Sequence, residues 1–324
     1  MSLKNPNFAY NGYQELKLMS EKSLPSYGGQ ALIEGVLMRG KSYLAASFRK
    51  PNGDIETVTV ELGGIYKSKI TKIPLLRGLV SLWDSLGLGM KYLSLSANMQ
   101  TGEDEKITPV EMVITMLVAF GLAALLFFVG PAWIGKLLED HLHASLWVSN
   151  ALEGLFRLAV VIIYMLAVSQ MEDIKRVFRY HGAEHKTINC YEAGLEMTVE
   201  NAKIQSRQHP RCGTAFMVTV VIISVLLFII IGPLTRTLAS RLLSRLLLIP
   251  VIAGVSYEFI FFTAKHLDNP VVKILAKPNL AVQNITTAEP DDSMLEVAIQ
   301  SFETMLALEE GRAVPAAAAA ESAA

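Results

Sequence analysis

Cysteine and net charge are both scarce in this chain. Two cysteines among 324 residues cannot build a disulfide framework; facing a reducing cytoplasm they stay free for metal or redox chemistry. Lys and Arg number 29 against 30 Asp and Glu, a formal net charge of −1. No basic excess is therefore available to neutralise phosphates, and no nucleic-acid partner is expected. The opening stretch, MSLKNPNFAYNGYQELKLMS, is polar and has no apolar centre, so no cleavable signal peptide is expected. P-loop, GxGxxG, CxxC and Ser/His/Asp patterns are missing, which leaves nucleotide binding and thiol redox work unsupported. No internal repeat is visible.

Apolar residues are abundant: 52% of the chain is hydrophobic and the mean hydropathy is +0.37. Four runs have the roughly 20 residues needed to cross a bilayer. They are Met112 to Gly130 (extending to Leu138), Leu158 to Met171 reaching back through Trp147, Gly213 to Ile231, and Leu246 to Ala264. The second carries Glu153 and Arg157 at i,i+4, a spacing at which the pair lowers the cost of placing either near lipid. The fourth carries one acid, Glu258, for which Arg157 or Lys265 are the candidate partners. Four spans put both termini and the 172–212 segment on one side. That segment holds Lys175, Arg176, Arg179, Lys186, Lys203, Arg207 and Arg211, whereas the 139–146 connection has no Lys or Arg. The excess places it in the cytoplasm, with the protein multi-pass in the cytoplasmic membrane and both termini inside. Arg236, Arg241 and Arg245 on the other side suggest an amphipathic segment over 235–245 in the headgroup layer.

The expected fold is a polytopic α-helical membrane protein with a small cytoplasmic α+β unit built from both termini and the central loop. Residues 1–27 read as flexible. Residues 28–100 read as a cytoplasmic β-hairpin, with turn chemistry at Pro51-Asn-Gly-Asp54, followed by an amphipathic helix from Ile73 to Ala97. Spans one and two occupy 108–171, a His/Cys loop 172–212, spans three and four 213–264, and a C-terminal segment 265–311. Within the last, 265–288 is mixed, and Pro290-Asp-Asp-Ser293 caps a helix. The Ala-rich 312–324 reads as disordered.

Chemistry concentrates between Tyr180 and Thr214, where both cysteines and three of the six histidines fall. His181-x-x-Glu184-His185 puts two imidazoles one helical turn apart with an acid beside them, the order of the inverted zinc-peptidase motif. Gly182 is poor helix material. His209-x-x-Cys212 adds a third and a fourth ligand; imidazole and thiolate suit zinc or a similar divalent ion. Glu184 is then the candidate proton acceptor, and His181, His185, His209 and Cys212 the candidate ligands. Glu258 and Arg157 are candidates for an intramembrane role, while Glu34 and Arg39 flank element ends and read as structural.

Gly29-Gln-Ala-Leu-Ile-Glu-Gly-Val-Leu-Met-Arg-Gly40, Leu75-Leu-Arg-Gly78, Tyr180-His-Gly-Ala-Glu-His-Lys-Thr187 and His209-Pro-Arg-Cys-Gly-Thr214 together resemble the YqhQ family of bacterial membrane proteins. This domain-of-unknown-function family, number 1385, is described as predicted metal-dependent enzymes. The resemblance runs roughly from Gly28 to Ala298. It implies a membrane location and a metal role for the His181/Glu184/His185 and His209/Cys212 motifs, and supplies no substrate. Two function classes follow: a membrane-embedded metal-dependent hydrolase, and a non-enzymatic scaffold or assembly factor. The second would work in contact with membrane lipid and a membrane-protein complex such as the insertion machinery, with any metal structural. A transporter is disfavoured by the few intramembrane charges and the lack of repeated broken helices.

Overall fold

A computed structural model of the chain describes residues 27–63, 69–100, 108–234 and 237–314. The flexible N-terminus expected before Tyr27, Arg236 and the tail from residue 315 lie outside the described residues. The chain divides into two units: residues 1–62, 179–207 and 289–324 form the first, and residues 63–178 and 208–288 the second.

The first unit opens with a meander of four antiparallel strands, β1 (Gly28–Leu32), β2 (Gly35–Arg39), β3 (Tyr43–Arg49) and β4 (Ile55–Glu61), ordered β1-β2-β3-β4. The β1–β2 turn forces Glu34 to φ +53°, and the β3–β4 turn uses Gly53 at φ +92°, where a glycine carries no steric penalty. The expected hairpin at 51–54 is thus present, and two more precede it, β1–β2 and β2–β3. The sheet packs on the C-terminal helix α10 (Asp292–Glu309), which starts at the Asp291 cap, Met294 N–H donating to its carboxylate at 3.0 Å. Ser301 donates to the Ala45 carbonyl (3.0 Å), and Glu309 accepts the Tyr43 N–H (2.8 Å). The C-terminal half of α5 (Glu172–Glu192) and the short α6 (Val199–Lys203) complete this unit. Its core joins Val36, Met38 and Ala45 to Tyr180, Ala183 and Ile188 and to Met294, Leu295 and Phe302. Each of the larger side chains contributes about 1.5–3 kcal/mol by burial.

The second unit is helical: α1 (Leu76–Gln100), α2 (Pro109–Ala124), α3 (Gly130–Leu142), α4 (Leu146–Val168), the start of α5, α7 (Gly213–Ile231), α8 (Leu238–Lys265) and α9 (Pro270–Thr286). Thr108 and Glu111 form a reciprocal capping box ahead of α2, and one wide turn over Leu125–Val129 joins α2 to α3. Four helices are long and apolar enough to cross a membrane: Val110–His141, Leu146–Val168, Gly213–Ile231 and Leu238–Lys265. Apolar side chains such as Leu117, Phe120, Ile163 and Leu226 point outward from them. A small core of Val161, Met165, Val218, Val221 and Val282 holds α4, α7 and α9 together.

Four expectations are corrected here. The 172–212 segment is not a loop, since α5 covers Glu172–Glu192 and α6 covers Val199–Lys203. Residues 238–245 are not a separate amphipathic segment but the first turns of α8. Arg241 and Arg245 are almost wholly buried there, because Glu139 and Glu153 neutralise them from neighbouring helices. Residues 270–286 form a regular helix, its Asn269 cap accepting from Val271 N–H at 2.9 Å, with Pro278 accommodated inside. Finally, Glu258 pairs with neither Arg157 nor Lys265. Its carboxylate takes the fork of Arg77, Nε to Oε1 at 2.8 Å and Nη2 to Oε2 at 2.5 Å. Helical spacing could not point to Arg77, which lies on a different helix.

Candidate metal centre

Helix α5 begins with Glu172 and Asp173, acids that suit the positive end of the helix dipole. Further along, every residue from Tyr180 to Ile188 is buried. Such all-round burial normally calls for apolar side chains, yet this stretch includes His181, Glu184, His185, Lys186 and Thr187. Buried ionisable groups are expensive unless each is partnered, so the partners define the site. The helix continues through Gly182 at a propensity cost of about 1 kcal/mol, offset by packing on both sides.

His181 and His185, one turn apart, bring their rings edge to face with centroids 4.4 Å apart. The His185 Nδ1 lies 2.5 Å from the Arg207 carbonyl oxygen. A carbonyl can only accept, so Nδ1 carries a proton, which in the neutral ring leaves the lone pair on Nε2. Glu184, next to His185, is 5% exposed. Its carboxylate accepts the backbone N–H of Gly29 on β1, and burial pushes its pKa up to about 7, against the opposing pull of His181 and that N–H. Gly29 is required by this approach: a Cβ there would lie 2.5 Å from the Leu37 oxygen and 3.0 Å from Glu184 Cδ. Glu34 accepts from the Tyr180 hydroxyl at 3.2 Å, and Arg39 closes β2.

Two other predicted ligands, His209 and Cys212, belong to the second unit. The amide of Gln283 on α9 clamps the His209 backbone from both sides, accepting its N–H at 2.8 Å and donating to its carbonyl at 2.9 Å. Cys212 is the residue before α7, buried, with Sγ 3.0 Å from the Thr214 hydroxyl, which in turn meets Thr286 at 3.1 Å. Arg157 sits within α4, donating to Glu153 at 3.0 Å and, through Nε, to the Phe127 carbonyl of the wide turn at 3.0 Å.

The His181/Glu184/His185 and His209/Cys212 motifs fall inside the region matched by one family model, described as Protein of unknown function (DUF1385), over residues 73–308. The chain belongs to this family. It is similar to the Uncharacterized protein YqhQ of Bacillus subtilis (strain 168), with 35% identity over 307 residues, covering 90% of this chain and 96% of that protein. No solved structure matches.

Within this DUF1385 chain, two residues that carry the site went unrecognised in the sequence. The first is Lys186. Its buried ammonium donates to the carbonyls of Lys203 (2.7 Å) and Gln205 (2.9 Å) and pairs with Glu289 (2.7 Å). Asn189 adds a bond to the Ser206 carbonyl at 2.8 Å. Together they hold the 203–207 strand of chain against α5, and thereby place the carbonyl that orients His185. The second is Gln283, the clamp on His209. Position within a motif could have flagged Lys186, but nothing in the sequence singles out Gln283.

Proposed function

We propose that this chain is an integral membrane protein that holds a divalent ion such as zinc on the cytoplasmic side and acts as a metal-dependent hydrolase. The observation that carries the metal reading is the His185 Nδ1–H bond to the Arg207 carbonyl. Imidazoles that ligate metals commonly donate their other N–H to a carbonyl or carboxylate, which fixes the tautomer and orients the ring. His181, His185 and Cys212 are buried donors whose chemistry fits such an ion, and His209 is the further imidazole. A bound ion would supply Lewis acidity toward water or a carbonyl. Glu184, held with a pKa near neutrality, is suited to take up the proton of an attacking water and return it to a leaving group.

The membrane location draws support from the four long apolar helices. Orientation draws support from the buried pairing of Arg241 and Arg245, which removes them from the count of free loop charges opposite the Lys/Arg-rich 172–212 segment. A second reading, a scaffold or assembly factor with a structural ion, is favoured by the burial of the His and Cys donors, since structural sites are closed.

Metal analysis of detergent-purified protein tests both. Stoichiometric metal is expected, lost in His185→Ala and kept in Glu184→Gln. Retention of the full complement in His185→Ala removes the site. Collapse of the fold on metal loss favours the structural reading, and a folded, metal-free His185→Ala favours the hydrolase.

A further inference from the structure

Helix α1 is built inside out. Its buried residues are small or polar, Gly78, Asp84, Gly89, Tyr92 and Ser96, whereas Leu76, Trp83 and Leu86 are 43%, 79% and 49% exposed. A helix on the surface of a soluble domain has the opposite arrangement. No charged residue lies between Arg77 and Lys91 on the outward side, because Asp84 is buried. Ile70 and Ile73, just before the helix, extend the exposed apolar surface.

The start of α1 is fixed against the apolar helix α8. Leu75 takes φ +69°, a conformation a branched side chain rarely adopts, and its N–H donates to Glu258 Oε1 at 3.1 Å beside the Arg77 fork. Arg77 also lies 4.2 Å over the Phe261 ring. Small residues allow the approach: a Cβ on Gly78 would lie 2.6 Å from Tyr257 Cβ, and one on Gly254 would lie 3.1 Å from the Leu75 oxygen. The close contact fixes the start of α1 on α8, one of the candidate spans, and leaves Leu76, Trp83 and Leu86 uncovered.

We propose that α1 is a fifth membrane-embedded helix, lying in the interface with Leu76, Trp83 and Leu86 in the acyl region and never crossing the bilayer. Chain parity excludes a crossing. The strands at 28–61 and the α5 residues from 179 onward share one folded core, so the chain leaves and re-enters that unit on one side. Val110–His141 and Leu146–Val168 already supply two crossings between those points, and a third would separate the two halves of the core. At 25 residues the helix is about 37 Å long, and an interfacial helix of this kind sinks its apolar face roughly 5–10 Å below the headgroups. The occupant of the face is lipid rather than protein, because α1 packs on α8, a helix long and apolar enough to cross a membrane, and the outward stretch between Arg77 and Lys91 carries no exposed charge.

The inference rests on the membrane reading and is independent of the metal. Trp83 is its own reporter in a Trp133→Phe/Trp147→Phe variant reconstituted in vesicles. Lipids brominated near the headgroup end of the tails should remove most of its emission, more than lipids brominated at mid-chain, with little quenching by aqueous iodide. Quenching by iodide alone, or by neither reagent because a second copy covers the face, overturns the proposal. A companion variant that keeps only Trp133, on a span, should be quenched by brominated lipid. If it is and Trp83 is not, the interfacial helix fails while the membrane reading stands. Cysteines placed at Gly63 and Gln100 should react with an impermeant maleimide from the same face of sealed vesicles, over the background of the native chain; opposite faces would mean that α1 crosses.

Discussion

Glu184 shows how a single residue can set the pH response of a domain. Its carboxyl is buried, and that burial pushes its pKa up to about 7 from the ordinary value of 4.5. The folded state therefore prefers the protonated acid. Its favourable contribution is complete below pH 4.5 and is lost as the pH rises from there to about 7, beyond which the penalty is constant. At 1.36 kcal/mol per unit, the swing is about 3 kcal/mol at most. With a chelator present, near-ultraviolet circular dichroism of Tyr27, Tyr180 and Tyr191 should report a lower denaturation midpoint at pH 8 than at pH 5. Glu184→Gln should flatten that difference, because a neutral amide keeps the Gly29 bond without ionising. An unchanged slope in the variant would show that another group sets the response.

At the scale of elements, the second unit is pinned by a network with more cations than anions. Glu153 receives Arg157 (3.0 Å) from its own helix and both Nε (2.8 Å) and Nη2 (2.7 Å) of Arg245 from α8. Arg245 also reaches Asn150 at 2.9 Å, and Arg241 pairs with Glu139 on α3. Removing one member of a buried set leaves a charge uncompensated, at a cost of about 3–5 kcal/mol, whereas removing a pair costs far less. Glu153→Leu should lower the unfolding midpoint in detergent strongly, and Glu153→Leu/Arg245→Leu should recover part of the loss. A double variant worse than the single would mean that the helices meet through packing and not through charge. The i,i+4 pairing of Glu153 with Arg157 was legible in the sequence because helical spacing alone brings it about, and so were the third span and the 51–54 turn. Arg245 and Arg77 were not, since their partners lie 92 and 181 residues away and only the packing of helices decides such contacts. Helix α9 was not legible in the mixed 265–288 stretch, which contains two prolines; Pro270 occupies a first-turn position that tolerates proline and Pro278 is absorbed within the helix. At the candidate centre the His181/Glu184/His185 register was readable for the same local reason. The roles of Lys186 and Gln283 were not, because each acts on backbone groups distant in sequence.

For the whole molecule, connectivity constrains topology more tightly than charge counting does. Three stretches of chain, residues 1–62, 179–207 and 289–324, belong to one unit, so under the membrane reading proposed above each excursion between them would cross the bilayer an even number of times. Two apolar helices fall in the first excursion and two in the second, which satisfies the condition with α1 and α9 as non-crossing helices. The His143 turn links Val110–His141 to Leu146–Val168, so the proposed membrane topology expects it to be labelled from the face opposite Asn52 and Arg312. Cysteines introduced one at a time at Asn52, Arg312 and His141 give the measurement, with the buried native thiols as background. In inverted vesicles the first two should react with an impermeant maleimide and His141→Cys should not; in right-side-out vesicles the pattern should reverse. If positions 52 and 312 were labelled from different faces, the shared core of β2, β3 and α10 could not exist in the membrane-bound protein. If all three reacted from one face, the helices from Val110 to Val168 would enter the bilayer without crossing it.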